Sequence, residues 1–548
     1  MVQPALVAPL PVLASERTRG TGAAPVSKRG AWWSLALAAL AGCAVGPNYH
    51  RPSAPVPQRF KEAEGWKPAE PQEAASGTAW WSVYGDPVLD GLEKQIDISN
   101  QTLKASEASW REAEAVVSGA QAALFPVVGV SGSATRTKGL GTTIGSTTTT
   151  TTTTTGGGTT TTGGGTTTTG GGTTTTAGGP TAVIPASSRP VNNFNATADA
   201  SWAPDIWGKI RRTIESDVAN AQASEADLAA ARLSAQGTLA TDYIELRVTD
   251  EMKQLLDQTV GAYQRSLEIT QNQYKSGIVA KADVITAETQ LEGAQSQQIS
   301  VGVMRAQLEH AIAVLVGKPP ADFAIESAAF GTTVPVAPAG VPSTLLERRP
   351  DVAAAERTMA SANAQIGVAI AAYFPDLTLT GSYGFSSSVL SGLIKTPNNI
   401  WSFGGTLADT VLDFGARSAA VRQARAAYDV AVANYRQAVL TAFQQVEDEL
   451  VALRILEQQY TVQDQTVKSA NEAVRLTINE YKAGIVAYTS VVTAQATALA
   501  DAQTLLTIRQ SRLTASVALI QALGGGWDAA SLKTAGATAQ HVAGGGAL

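Results

Sequence analysis

Four short stretches of the chain alternate apolar and polar residues with period two. Phe194, Ala196, Ala198, Ala200 and Trp202 alternate with Asn195, Thr197, Asp199 and Ser201. Leu377, Leu379, Tyr383 and Phe385 alternate with Thr378, Thr380, Ser382 and Gly384, and Trp401, Phe403 and Leu407 with Ser402, Gly404 and Thr406. Val128, Val130 and Ala134 do the same more weakly beside Ser131, Ser133 and Thr135. Such stretches predict β-strands with one apolar face. They suit a soluble half-buried sheet or a membrane barrel whose outer face meets lipid. Between them the pattern becomes helical. Residues 209–273 contain no proline and only Gly237 and Gly261, and residues 416–480 contain neither residue type. Val432, Tyr435, Val439, Ala442, Val446, Leu450, Leu453, Leu456 and Tyr460 keep a three-and-four spacing, the seam of a coiled coil. About 65 residues at 1.5 Å each predict rods of roughly 100 Å. Gly277 and Gly484 then stand where a helix C-terminus takes a left-handed cap. Returning helices are expected near residues 283–316 and 490–523. Two long helical hairpins thus project from one side of four strands. Four strands cannot enclose a lumen, and open strand edges are not tolerated in lipid. Completion of a barrel therefore requires several copies of the chain; three would supply about twelve strands.

The pattern occurs twice. Tyr274-Lys-Ser-Gly277-Ile-Val returns as Tyr481-Lys-Ala-Gly484-Ile-Val, an offset of 207 residues. The same offset relates Trp207-Gly208 to Phe414-Gly415, Leu246-Arg247 to Leu453-Arg454, and Val316-Gly317 to Leu523-Gly524. Phe125-Pro126 matches Phe374-Pro375 at an offset of 249, so the first copy carries extra residues. Residues 147–176 account for much of the excess. They are only Thr and Gly, lack apolar surface to bury, and are expected to be disordered.

Composition removes several function classes. The 548-residue chain is 44% hydrophobic and 16% charged, with a net charge of −6, so it has no electrostatic footprint for nucleic acid. Its single cysteine excludes an internal disulfide and a cysteine-rich metal site. His50, His310 and His541 lie far apart, without metal-ligand spacing. GxxxxGK[ST], HExxH and GxSxG motifs are absent, and no residue is nominated as catalytic. No apolar run reaches the ~18 to 20 residues of a membrane helix. The best, AWWSLALAALA at residues 31–41, follows Lys28 and Arg29 and leads into Leu40-Ala41-Gly42-Cys43. A basic flank, a short apolar core and small residues predict a signal peptide over residues 1–42. A start near Val26 would give it a conventional basic n-region. Leu-Ala-Gly-Cys also resembles a bacterial lipoprotein signal, in which the cysteine is lipidated and becomes the first mature residue. The alternative for Cys43 is an ordinary buried thiol.

Three motifs carry a resemblance that covers residues 40–527. They are Cys43-Ala-Val-Gly-Pro-Asn-Tyr-His-Arg-Pro52, Trp80-Trp81-Ser-Val-Tyr84-Gly-Asp86-Pro87-Val-Leu89, and Leu345-Leu-Glu-Arg348-Arg349-Pro350-Asp351-Val352 followed by Glu356 and Phe374-Pro375. Together they resemble the TolC family of outer-membrane efflux proteins, in its lipoprotein branch of OprM-like and NodT-like factors. Physically, Pro350 suits an early helical position and Asp351 the positive end of a helix dipole, so the third motif reads as architectural. The resemblance implies a homotrimer in the bacterial outer membrane. Its twelve-stranded β-barrel would be continuous with a long periplasmic helical barrel, built from two internal repeats per chain. It implies the exit duct of a tripartite pump, joined through a periplasmic adaptor to an inner-membrane transporter of the resistance-nodulation-division class. Such a duct exports drugs or other small molecules passively and needs no cofactor beyond lipid on Cys43.

The organisation expected on this basis runs as follows. A signal peptide (1–42) precedes a lipidated segment with the equatorial part and the first helix (43–125). A first strand pair (126–203) carries a Thr/Gly-rich extracellular loop (138–190). The first hairpin and a linker occupy 204–342, the helix of the second repeat 343–373, and the second strand pair 374–413. The second hairpin (414–524) leads to a flexible tail (525–548). The resemblance assigns the hairpin tips, Tyr274, Lys275, Gly277, Ile278 and Val279 with Tyr481, Lys482, Gly484, Ile485 and Val486, to gating and adaptor docking. Lys275 and Lys482 are equally explained by the helix dipole, and Asp283 as a helix N-terminal residue. Some family members place two acids after the second tip as a ring around the pore mouth. Here Ser490 and Thr493 stand there, which leaves Asp283 as the acidic gate candidate. Protein secretion of type I, metal-ion export, and a pore-less periplasmic coiled-coil lipoprotein are the alternatives. The four alternating strands argue against the last.

Overall fold

The computed structural model describes residues 44–54, 57, 60–62, 79–138, 190–328, 331 and 348–532. Cys43, the signal-like segment, the Thr/Gly tract 147–176, Leu345 and the end of the tail lie outside the described residues. The chain divides into a helical unit (1–120, 205–373 and 414–548) and a strand unit (121–204 and 374–413).

In the helical unit, α1 (Pro87–Ser99) and α2 (Gln101–Ala122) precede α3 (Lys209–Lys275) and α4 (Lys281–Leu315). A second run comprises α5 (Pro350–Ala371), α6 (Ala416–Lys482) and α7 (Tyr488–Ala522). Helices α3 and α6 are both 67 residues long, and α4 and α7 both 35. At 1.5 Å per residue, each long helix is a rod of about 100 Å. No described helix is long and apolar enough to cross a membrane. Helix α4 packs along α3, α7 along α6, and α3 against α7, while α5 lies against both α3 and α6. The α6 seam is core. Tyr435, Val439, Ala442, Val446, Leu450 and Leu453 are buried, and Val432 and Leu456 are partly covered. Gly237, in mid-α3, lets the Gln521 side chain of α7 reach in and donate to the Leu233 carbonyl at 3.1 Å; a Cβ there would collide with it.

The sequence motifs are structural fasteners. Trp80, Trp81 and Tyr84 form a buried turn in the core beside Leu89, Ile96 and Leu246. Asp86 caps α1 through the Val88 and Leu89 amides and accepts from the Tyr243 hydroxyl at 2.8 Å. Tyr243 in turn accepts from Arg247, which pairs with Asp250, and Asp250 binds Arg305 of α4. Pro350 opens α5. The Arg349 guanidinium grips Asp351 with bonds of 2.9 and 2.6 Å and donates at 3.1 Å to the Ala522 carbonyl, one of the orphan acceptors ending α7. The N-terminal residues are a strap. Val45 donates to the Trp207 carbonyl, and buried Arg212 binds the Val45 and Gly46 carbonyls. Further on, Tyr49 reaches Glu356, Arg51 reaches Tyr435, and Glu62 pairs with Arg454.

The strand unit is one antiparallel sheet in the order β1 (Val127–Thr137), β2 (Val191–Trp202), β3 (Asp376–Ser387), β4 (Asn399–Ala408). Its register sets how the four alternating stripes align. Val130 faces Ala198, Ala198 faces Tyr383, and Tyr383 faces Trp401. One row along, Val128, Ala200, Gly381 and Phe403 align. All four apolar stripes therefore share one face of the sheet. The opposite face is mostly polar, with Val127, Val191 and Ile400 towards the ends of their strands, and is internally bonded: Ser131 meets Thr197 at 2.8 Å, and Ser382 meets Ser402 at 2.8 Å. The apolar face is uncovered, with Val130 86%, Trp401 75% and Phe403 77% exposed. A soluble half-buried sheet would hide these side chains under a second layer.

Candidate functional site

Both hairpins turn by the same device. The Gly277 amide donates to the Tyr274 carbonyl and the Ile278 amide to the Gln273 carbonyl, both at 2.9 Å. Gly484 and Ile485 repeat these bonds to Tyr481 and Glu480, both at 2.9 Å. This is the Schellman arrangement, which needs a left-handed residue after the helix. Gly277 and Gly484 supply it with φ of 72° and 75°. Lys275 and Lys482 occupy the last helical turns, and Asp283 the first turn of α4. Ile278 and Ile485 point outward, while Val279 and Val486 are partly buried.

The two tips differ in a way the repeat does not announce. Tyr274 is 44% exposed, whereas its counterpart Tyr481 is 5% exposed. Tyr481 turns into a small core with Tyr488, Val491 and Ala287, joined by Val279 and Val486 from the two turns. Its ring lies 5.3 Å from that of Tyr488, and its hydroxyl donates to Thr270 of α3 at 3.3 Å. One turn of helix back, buried Gln495 of α7 donates to Ser266 of α3 at 3.0 Å. Together these groups pin the second hairpin to the first near the tips. Sequence reasoning missed Ser266, Thr270, Tyr488 and Gln495. The signal available for it was a pair of small polar residues four apart on α3, facing two tyrosines that bracket the second turn.

Electrostatics links the tips as well. Burial pushes the Tyr488 hydroxyl up to about 12, and the Tyr481, Tyr263 and Asp283 side chains nearby push it the same way. Burial raises Tyr481 too; the Thr270 hydrogen bond opposes this and Asp283 adds to it. Half-buried Asp283 thus sits beside the second hairpin's tyrosines. Ser490 and Thr493 are exposed, and the Thr493 hydroxyl bonds back to the Thr489 carbonyl at 2.9 Å. Among the described residues no group of His, Cys, Asp and Glu is arranged to hold a metal.

A family profile described as outer membrane efflux protein matches residues 92–318 and 341–525, most of the chain. The chain belongs to the outer membrane efflux protein family. A probable efflux pump outer membrane protein of Pseudomonas putida, TtgC, is 27% identical over 499 residues, covering 90% of this chain and 95% of the relative. Nodulation protein T of Rhizobium leguminosarum bv. trifolii is 27% identical over 460 residues, covering 83% of this chain and 88% of the relative. Among solved structures, the Campylobacter jejuni CmeC outer membrane channel superposes with a TM-score of 0.77 at 22% identity, covering 91% of this chain and 98% of that one. That likeness shows that the chain shares the fold of this outer membrane channel.

Proposed function

We propose that this efflux family member is the outer-membrane duct of a tripartite pump, passing drugs or other small molecules received from a periplasmic adaptor and a resistance-nodulation-division transporter. The observation that carries this is the sheet. Four strands bear one continuous, uncovered apolar face and end in open edges at β1 and β4. Lipid is the environment that such a face fits, and lipid forbids open edges. Closure by further copies resolves both, and three copies give a barrel of about twelve strands. The helical unit supports the same stoichiometric logic. Helices α4 and α6 flank the packed pair of α3 and α7, and both keep apolar side chains exposed: Ile285, Ile299 and Val303 on α4, Ile455, Val462 and Leu476 on α6. The spacing of seven between Ile455 and Val462 is that of a coiled-coil seam awaiting a partner helix. In α2 only Leu103 and Val117 are buried.

In this reading the two internal repeats each contribute a strand pair and a hairpin, with the helices in the periplasm. The tips dock the adaptor and form the gate. Exposed Tyr274, Lys275, Ile278, Lys482 and Ile485 provide the contact surface, and Asp283 the acidic group nearest the mouth. Cys43 carries lipid, and the strap that begins at Ala44 runs along the start of α3. The protein does no chemistry, takes no cofactor and binds no nucleic acid. Planar-bilayer recording of the purified protein tests the proposal. Discrete conductance from a species with the mass of three chains is the expected result. A monomer, or a protein that opens no channel, refutes it. Intact mass of the mature chain checks the anchor: it should begin at Cys43 and carry acyl groups.

A further inference from the structure

The polar face of the sheet holds a charge that the duct reading leaves without a role. Strand register puts Gly129, Asp199, Ser382 and Ser402 in one row across β1 to β4, all on that face. The rows above and below contribute Ser131, Thr197, Gly384 and Ile400, and Val127, Ser201, Thr380 and Gly404. Across the four strands this face carries two ionisable side chains, Asp199 and Asp376, and no Lys, Arg or His. Arg136 alternates onto the apolar face, opposite Asn192. Asp376 is the first residue of β3, at the sheet's end, and is engaged in an interaction of its own. Asp199 stands well inside β2, exposed, and among the described residues its carboxylate accepts from neutral hydroxyls, Thr197 at 3.1 Å and Ser131 at 3.4 Å. Its neighbours in the row are a glycine and two serines, too short to cover it.

Resting on the proposed barrel, we infer that Asp199 sets the charge preference of the duct's strand-lined section, which favours cations over anions. Closure of the barrel turns the polar face inward and repeats Asp199 once per copy at a single level. A ring of like charges in a low-dielectric wall focuses potential on the water it encloses and concentrates counter-ions there. The surrounding Ser, Thr and Asn side chains offer hydrogen bonds, and they and the neighbouring Gly, Val127 and Ile400 bring no compensating charge. The cargo admitted most readily is a cationic or neutral amphiphile; an anionic one meets an electrostatic barrier at this level.

The test uses the purified full-length protein in planar bilayers under a potassium chloride gradient. The wild type should reverse on the cation-selective side. Asp199→Asn should lower the potassium-over-chloride permeability ratio about twofold or more, and Asp199→Lys should lower it further. Asp283→Asn, at the tip, serves as the competing variant. A ratio that follows Asp283 and ignores Asp199 overturns the inference and leaves the duct standing. The duct reading has its own readout. Cys43 is the only native cysteine, so Asp199→Cys offers one new thiol to a water-soluble cationic thiosulfonate, with the wild type as control. Modification that reduces conductance puts residue 199 in the aqueous lumen. A protein that opens channels yet is unchanged by the reagent overturns the inward placement of this face, and with it the inference.

Discussion

Replacing Glu93 by glutamine tests how the helical unit tolerates a buried acid. Glu93 lies on α1, is fully buried, and neither carboxyl oxygen has a hydrogen-bond partner among the described residues. Burial, reinforced by the nearby charges of Asp97 and Asp90, pushes its carboxyl from 4.5 up to about 9. The folded state therefore holds the proton more tightly than the unfolded state. Stability from this group is complete below about pH 4.5 and is lost progressively as the pH rises towards about 9. At about pH 7.5 the unfolded carboxyl lies roughly three units above its own pKa, which at about 1.4 kcal/mol per unit withholds on the order of 4 kcal/mol. Glutamine has the same shape and no charge to lose. Its buried amide costs about what the protonated acid already costs, since neither finds a partner. Glu93→Gln should match the wild type near pH 4 and become more stable above it. The gap should widen by about 1.4 kcal/mol per pH unit until it levels off near pH 9. Denaturant midpoints of the detergent-solubilised protein, followed by helical circular dichroism across that range, measure the gap. A gap that does not change with pH would refute the argument, as would a variant less stable at pH 8 than the wild type.

Gly277→Val and Gly484→Val should cost about 1 to 3 kcal/mol each through backbone strain alone, because φ is positive and, apart from the adjoining residues, no atom of the described residues lies within 4 Å of the added Cβ. In the proposed trimeric duct, both variants should still assemble in the outer membrane, while drug resistance and tip-to-adaptor crosslinking fall; normal resistance in the double variant would remove the docking assignment. Tyr481→Ala should lower thermal stability by about 3 to 5 kcal/mol, as expected for emptying a buried aromatic site, while Tyr274→Ala, at an exposed position, should stay within about 0.5 kcal/mol. Melting of the two variants side by side checks the asymmetry, and equal losses would contradict it. Gly524→Ala should disrupt folding, since its φ is 95° and a Cβ would strike the Arg348 carbonyl; expression level and heat resistance of the purified protein read this out.

Local features were legible in the sequence because their physics is local. Alternation marks strands wherever one face is apolar. Proline-free stretches with three-and-four spacing mark long helices. A glycine after a helix marks a left-handed cap, since that backbone region excludes most side chains. Gly277, Gly484, Pro350 and the Tyr435 seam were all readable on those grounds. Four matters belonged to tertiary structure. Strand pairing put the four apolar stripes on one face, and a slip of one residue at any ladder would have split them. Hairpin packing buried Tyr481 and left Tyr274 exposed, although both stand in the same local motif; burial depends on what lies opposite, and Thr270 and Ser266 oppose only the second tip. Close approach gave Gly237 and Gly524 their necessity, and burial without a partner gave Glu93 its raised pKa. No window of sequence contains the atoms that meet them, because Gln521, Arg348 and the walls around α1 come from distant parts of the chain.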